Sequence, residues 1–438
     1  MSLNCGKFLR GILFPVMVCK MTIDDEPSSQ GVANTLKRAK QLVEIKWTPV
    51  RDFPKLASKT EQGLYPANEV VTGIPYSSVR AYDKYIPYNV SLKTFMSALE
   101  NPHSVVYTEN LFGQYERAVS YYGIVCAVFV SYALNLPFRV PCKVWHEIEG
   151  MRPVNSNRLE DYRLCDVLRT EAHVALITGI TRTPEGTVST ISISEATIPK
   201  CICKTYTPDE YRESRFYKEN FTVFRYDRLD EIPYEASPFV QLEGEKPLPL
   251  PPPSALGINY GSGANYRKGE KIIFSVLEPG FKSLEVFCEG ELVEAIELTG
   301  RPENVERQYT KSGNYYAVCR DEQRDKKAET LFCIVDVVVT ADKTIYVPGE
   351  KVSLSFSCKD LPVCYFLCDA KTKFAFALTI LSEAESRQKR AEFICPPTVI
   401  KSQDKVVAEG EYAVKVYCRN ENGDYASDYF YFQSSGEN

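Results

Sequence analysis

Histidine is scarce in this chain: His103, His146 and His173 are the only three among 438 residues. Chemistry that needs an imidazole base therefore has three candidates. No CxxC pair occurs, which removes the common thiolate clamps for zinc. The nearest spacing, Cys201-x-Cys203, is too tight to chelate well, so no metal is expected. No segment reaches the ~20 apolar residues of a membrane-spanning helix. No long run of one charge sign occurs. The formal net charge of −5 gives no electrostatic reason to bind nucleic acid or anionic lipid.

Cysteine, by contrast, is plentiful. The fifteen residues are odd in number and scattered, which fits a reducing compartment better than a disulfide framework. The first residues place Lys7 and Arg10 before an apolar stretch from Gly11 to Cys19. That stretch is short for a signal peptide, is broken by Pro15 and has no small-x-small cleavage site. The sequence by itself thus favours a cytoplasmic location.

A proline-rich run, Lys246–Ser254, divides the chain and reads as a stiff polyproline spacer. Before it, helix and strand signals mix. Val32, Leu36, Ala39 and Val43 share a helical face, as do Leu92, Phe95, Met96 and Leu99 behind a Ser91 cap. Thr207-Pro208-Asp209-Glu210 is another helix start. Beyond the run the chain reads as strands and repeats itself. Tyr266-Arg-Lys-Gly269-Glu270-Lys271 returns as Tyr346-Val-Pro-Gly349-Glu350-Lys351, and Gly313 to Arg320 is echoed by Gly410 to Arg419. The expectation is an α+β unit over residues 1–245, a linker over 246–255, and two all-β sandwich domains over 256–338 and 339–438. Their pattern resembles Ig-like modules. A stiff linker predicts few contacts across it, so residues 1–245 are expected to fold alone.

The segment Tyr122-Gly123-Ile124-Val125-Cys126-Ala127-Val128-Phe129-Val130 carries the chemistry. Gly123 permits a tight turn, and the apolar stripe from Cys126 to Leu134 predicts a helix with Cys126 in its first turn. There the helix dipole and free N–H groups favour a thiolate and can face an oxyanion. Forty-seven residues later, Asp166 to Gly179 reads as a strand carrying His173. A second strand follows from Val188 to Ala196. Pairing about Pro184-Glu185-Gly186 brings Glu195 opposite His173 within a residue or two, where a carboxylate orients an imidazole.

Gly73-Ile74-Pro75-Tyr76 resembles the GxPY turn of NlpC/P60 enzymes, and the Cys126 segment resembles their nucleophile motif. Asp166-Val-Leu…His173-Val-Ala-Leu-Ile resembles their histidine strand pair. Glu195-Ala-Thr197 resembles the ExN of the related CHAP amidases. The resemblance covers about Gly73 to Thr197 and departs at Val125, Ala127-Val128, Ala172 and Thr197. It implies a papain-like fold and a cysteine peptidase or amidase without cofactor. Cys126 is then the nucleophile, His173 the base and Glu195 its orienting acid, with Tyr76, Tyr122 and Thr197 lining the substrate site. The implied substrates are peptides or peptidoglycan fragments, which would place the protein at the cell envelope. The Ig-like modules would add a protein or glycan contact. Gly-x-x-Cys followed by Ala133-Leu-Asn-Leu-Pro137 also resembles the transglutaminase-like hydrolases. A catalytically inactive head on an adhesion or scaffold protein is the remaining alternative.

Overall fold

A computed structural model describes residues 22–77, 85–107, 123–136, 139–155, 158–231, 255–325, 327–373, 375–402, 405–420 and 422–435. Tyr122, Pro137, the start of the chain and the proline run lie outside these residues.

The protein is mostly β-sheet. In the part before the proline run, three helices precede the main sheet: α1 (Gln30–Glu44), α2 (Leu92–Glu100) and α3 (Cys126–Ala133). The sheet strands are β1 (Met151–Val154), β2 (Val167–Arg169), β3 (Val174–Arg182), β4 (Val188–Ala196), β5 (Cys201–Tyr206) and β6 (Thr222–Tyr226). They run antiparallel in the order β5-β4-β3-β2-β6-β1, and Ile23–Asp24 adds to the far end of β3. Two short helices, α4 (Pro208–Glu213) and α5 (Arg215–Lys218), lie between β5 and β6.

Helix caps follow the sequence. Ser29 and Ser91 accept backbone N–H bonds at the starts of α1 and α2, and Thr207 with Glu210 forms a capping box on α4. Helix α3 differs from expectation. All eight of its residues are buried, so it has no polar stripe and lies inside the molecule. The sheet is covered on both faces. Val174 and Leu176 pack toward α3, whereas Ala175 and Ile177 join Tyr211 of α4 and Phe216 of α5 in a second core. That is why β3 reads as a continuous apolar run.

The segment Asp166 to Gly179 is a hairpin, not one strand. Strand β2 ends at Arg169, and the chain turns through Thr170–His173. The Thr170 N–H donates to the His173 carbonyl at 2.8 Å, and the His173 N–H donates to Thr170 Oγ1 at 3.1 Å. A threonine hydroxyl that competes for a nearby N–H favours such a turn over continued strand. Asp166, fully buried, holds this hairpin to β6 through two bonds of 2.7 Å from Arg225.

Beyond the proline run stand two β-sandwiches. In the first, a three-stranded sheet (Leu256–Ile258, Ile272–Val276, Glu303–Arg307) faces a five-stranded one that includes Ala264–Arg267 and Lys327–Val335. Phe274 and Phe332 join them with ring centres 5.7 Å apart. The second repeats the layout with Val337–Ala341, Lys351–Cys358 and Arg390–Ile394 against a six-stranded sheet. The sequence repeats occupy equivalent places. Tyr266 and Tyr346 each lie on a short strand paired in parallel with the last long strand of their sandwich. Gly269 and Gly349 follow at φ of 71° and 86°, the left-handed turn that favours glycine.

Contacts across the proline run are extensive, against the expectation of few. The Val105 N–H and Ser104 Oγ both donate to the Asn259 carbonyl at 3.0 Å, and the Ser262 N–H donates to Ser97 Oγ at 3.0 Å. From the second sandwich, the Asp424 N–H donates to the Tyr88 carbonyl at 3.0 Å. Glycines make this closeness possible. A Cβ at Gly261 would stand 2.2 Å from the Thr94 carbonyl oxygen, and one at Gly423 would stand 2.4 Å from that of Asn89. One apolar core runs from α1 through α3 into the first sandwich.

Candidate active site

The site starts from a backbone crossing. Residues Pro75 to Ser77 run beside Ile124: the Ile124 N–H donates to the Pro75 carbonyl at 3.0 Å, and the Ser77 N–H donates to the Ile124 carbonyl at 3.1 Å. Gly123 is needed for this closeness and not for a turn, because a Cβ there would lie 2.1 Å from the Pro75 oxygen. Gly73, at φ 86°, leads into the segment. The crossing places Tyr76 next to the start of α3.

Cys126 is the first residue of α3, with Val125 as a cap that supplies no side-chain acceptor. The Cys126 pKa lies well below that of an ordinary thiol. The largest cause is a hydrogen bond from the Cys142 thiol; burial opposes it, and His173 and the Val174 N–H reinforce it. Cys142 Sγ is 3.8 Å from Cys126 Sγ. That neighbour keeps its proton, its pKa driven far up by Cys126 and by burial.

His173 lies at the lip of the sheet, its ring edge-on to Phe221. Its Nε2–H donates to Glu195 Oε2 at 2.5 Å. Nδ1 is then the ring nitrogen left for the Cys126 sulfur. Burial works against the charged imidazole. The hydrogen bonds and charges of Cys126 and Glu195 outweigh burial and raise the His173 pKa to about 9. Both shifts favour the thiolate form of Cys126 and the imidazolium form of His173. Glu195 comes from β4 as the strand register requires: Leu176 pairs with Ser194, so Glu195 falls diagonal to His173 on the same face.

Arg215, the first residue of α5, also donates to Glu195 Oε2. Sequence reasoning missed it, having read the Thr207 helix start as scaffold. Cys142 was missed as well. It opens a short 3₁₀ turn, Cys142–Glu147, whose carbonyls at Cys142 and Lys143 accept bonds of 2.9 and 2.8 Å from Arg169. A second cysteine 16 residues from Cys126 was the available signal.

Tyr76 stands close enough to both thiols that burial first, then the Cys126 and Cys142 charges, push its phenol up to about 12. It remains a proton donor at working pH. Thr197 lies in the turn between β4 and β5, its N–H bonded to the Lys200 carbonyl at 3.4 Å. The structure gives it no bond to the Cys126 group. Tyr122 is outside the described residues.

Thiol reactivity should report the ion pair directly. At pH 6 an ordinary thiol is under ~1% thiolate, whereas the lowered pKa of Cys126 keeps more of that thiol ionised. Iodoacetamide is expected to modify Cys126 about a hundredfold faster than exposed Cys203 at that pH. Above about pH 9 His173 loses its proton and the pairing with it. Peptide-resolved mass spectrometry over a pH series checks this, and equal rates at pH 6 would remove the ion pair.

No family model matches the chain, and no curated protein does. Among solved structures, it is similar to the fibronectin(III)-like modules of Clostridium thermocellum CbhA, at 13% identity over 42% of this chain and 94% of that one, with a TM-score of 0.19. Murine CEACAM1b is similar at 13% identity over 42% of this chain and all of that one (100%), TM-score 0.19. The human OSCAR ligand-binding domain gives 13%, 41%, 97% and 0.17. Among the described residues no helix is long and apolar enough to cross a membrane.

Proposed function

We propose that this chain is a cysteine hydrolase of amide bonds, its head a papain-like unit and its sandwiches Ig-like modules. The observation that carries the reading is the 2.5 Å His173–Glu195 contact beside Cys126, whose pKa is lowered in part by His173, at the start of a buried helix. The thiolate attacks the amide carbonyl. The N–H groups at the start of α3 face the developing oxyanion. The imidazolium protonates the leaving amine, and His173 then takes a proton from the water that releases the acyl group. Glu195, held by Arg215, keeps the imidazole in one tautomer through both steps. Tyr76 lies where its hydroxyl can donate to substrate beside the sulfur. The intact relay favours this over an inert head.

The resemblance to NlpC/P60 and CHAP enzymes directs the substrate toward peptides of the cell-wall stem type. The test is digestion of peptidoglycan fragments and a panel of peptidyl amides, with products read by mass spectrometry beside Cys126→Ala. No cleaved amide in either set would overturn the reading.

The role of Glu195 has its own measurement. Glu195→Gln keeps an acceptor for the imidazole N–H but drops the charge that supports the imidazolium. Its kcat is expected to fall roughly tenfold to a hundredfold, and Glu195→Ala further. Wild-type turnover in both variants would remove the acid from the relay.

A further inference from the structure

The hydrolytic relay has no use for a second thiol, yet Cys142 presents one. Its sulfur stands 3.8 Å from Cys126 Sγ, although the two residues belong to different elements. A disulfide needs about 2.05 Å, so the sulfurs must close by about 1.8 Å, within the reach of side-chain rotation. Both elements are firmly held. Ser131 of α3 accepts from the Val140 N–H at 2.9 Å and so fixes the return of the chain toward Cys142, while Arg169 grips the Cys142 carbonyl. Cys126 is buried with 6% of its surface exposed and Cys142 beside it is half-buried, so a small reagent would reach the pair from the Cys142 side.

We propose that Cys126 and Cys142 form a reversible oxidation site, at which a hydroperoxide converts the nucleophile into an intramolecular disulfide. The reading shares its thiolate with the proposed hydrolase but does not depend on hydrolysis. In the first step the Cys126 thiolate attacks a peroxide oxygen. The O–O bond breaks, the sulfur becomes a sulfenic acid, and the alkoxide or hydroxide leaves with a proton from the His173 imidazolium. In the second step the Cys142 sulfur, giving its proton to His173, attacks Cys126 Sγ. The S–O bond breaks and water leaves with that proton. Two thiols are oxidised, and one peroxide is reduced to an alcohol, or to water, plus a second water. A dithiol reverses the change. The disulfide silences the nucleophile and spares it from sulfinic acid, which thiols do not reverse.

Among the described residues, a further pair of cysteines perturb one another's thiols, Cys358 with Cys418 in the second sandwich. Cys418 is fully buried there. It supplies an internal control.

The experiment treats the reduced full chain with a small excess of hydrogen peroxide, blocks remaining thiols with N-ethylmaleimide and maps the unreduced digest by mass spectrometry. The expected result is loss of two alkylatable thiols, with the Cys126 peptide joined to the Cys142 peptide. Dithiothreitol then restores iodoacetamide labelling of Cys126. In Cys142→Ser the joined peptide is absent, Cys126 accumulates as sulfinic acid, and dithiothreitol no longer restores its labelling. A wild-type digest without the joined peptide, or Cys126 joined to another cysteine, would overturn the proposal even if the variant failed to fold. Equal recovery of Cys126 labelling in both proteins would do the same. These readouts follow sulfur masses and not turnover, so a protein that cleaves no amide can still pass them.

Discussion

Cys126→Ala is expected to abolish amide hydrolysis, a loss of at least about 10³-fold in kcat, while the protein stays folded. The loss is large because removing the nucleophile removes both the acyl intermediate and the negative partner of His173. With the thiolate gone, the His173 pKa should drop from about 9, since Cys126 contributes both a hydrogen bond and a charge to it. The fold should survive because alanine suits the first turn of a helix and the vacated space is one small sulfur beside Cys142. Thermal unfolding and turnover, measured together, separate the outcomes. Retained turnover removes Cys126 from the mechanism, whereas a collapsed protein would make it a packing residue.

A chain cut after Glu245 is expected to lose cooperative folding. Removing the sandwiches strips α2 and the segment before it of their cover. Among the described residues, eight hydrogen bonds that bind Tyr88 to Val105 to the later chain would be lost, including Asn89 Nδ2–H to the Asp424 carbonyl and Ser91 N–H to that of Asn422. At roughly 0.5–1.5 kcal/mol each, these alone approach the marginal stability of a domain. Exposed apolar surface adds to the loss, since Leu256, Ile258 and Tyr260 share one core with α2. Calorimetry and size-exclusion chromatography of the fragment give the answer. A monomeric fragment with a sharp, unshifted transition would show that the head is autonomous after all.

The contrast between what was readable and what was not follows from distance along the chain. Caps and faces are local, so the Val32–Val43 face, the Ser91 cap and the Thr207 start announced their helices. The hairpin that unites His173 with Glu195 spans 22 residues and one turn, and its alternation was legible. The turn at Thr170 was hidden because the apolar pattern of β3 hides where the strand begins. Arg215 was illegible because nothing in a short helix after a capping box says which carboxylate it meets. Cys142 gave no periodic signal at all. Gly123 looked like a turn residue, and only the neighbouring carbonyl reveals that it serves close approach, as Gly261 and Gly423 also do. The proline run misled for a related reason: a stiff spacer limits flexibility, but it does not prevent two surfaces from docking.

The bond from Asp424 to Tyr88 bears on how the protein is made. Tyr88 also donates to the Leu136 carbonyl, and Arg139, just beyond, bonds Tyr85 at 3.0 Å. The wall beside the nucleophile is therefore buttressed by residues synthesised about 300 positions after Cys126. At ~5–20 residues per second that delay amounts to roughly 15–60 s on the ribosome. Through that interval Cys126 and Cys142 exist without their final surroundings. Newly made chains should pass through a dormant stage, and activity should appear only once the second sandwich has emerged and docked.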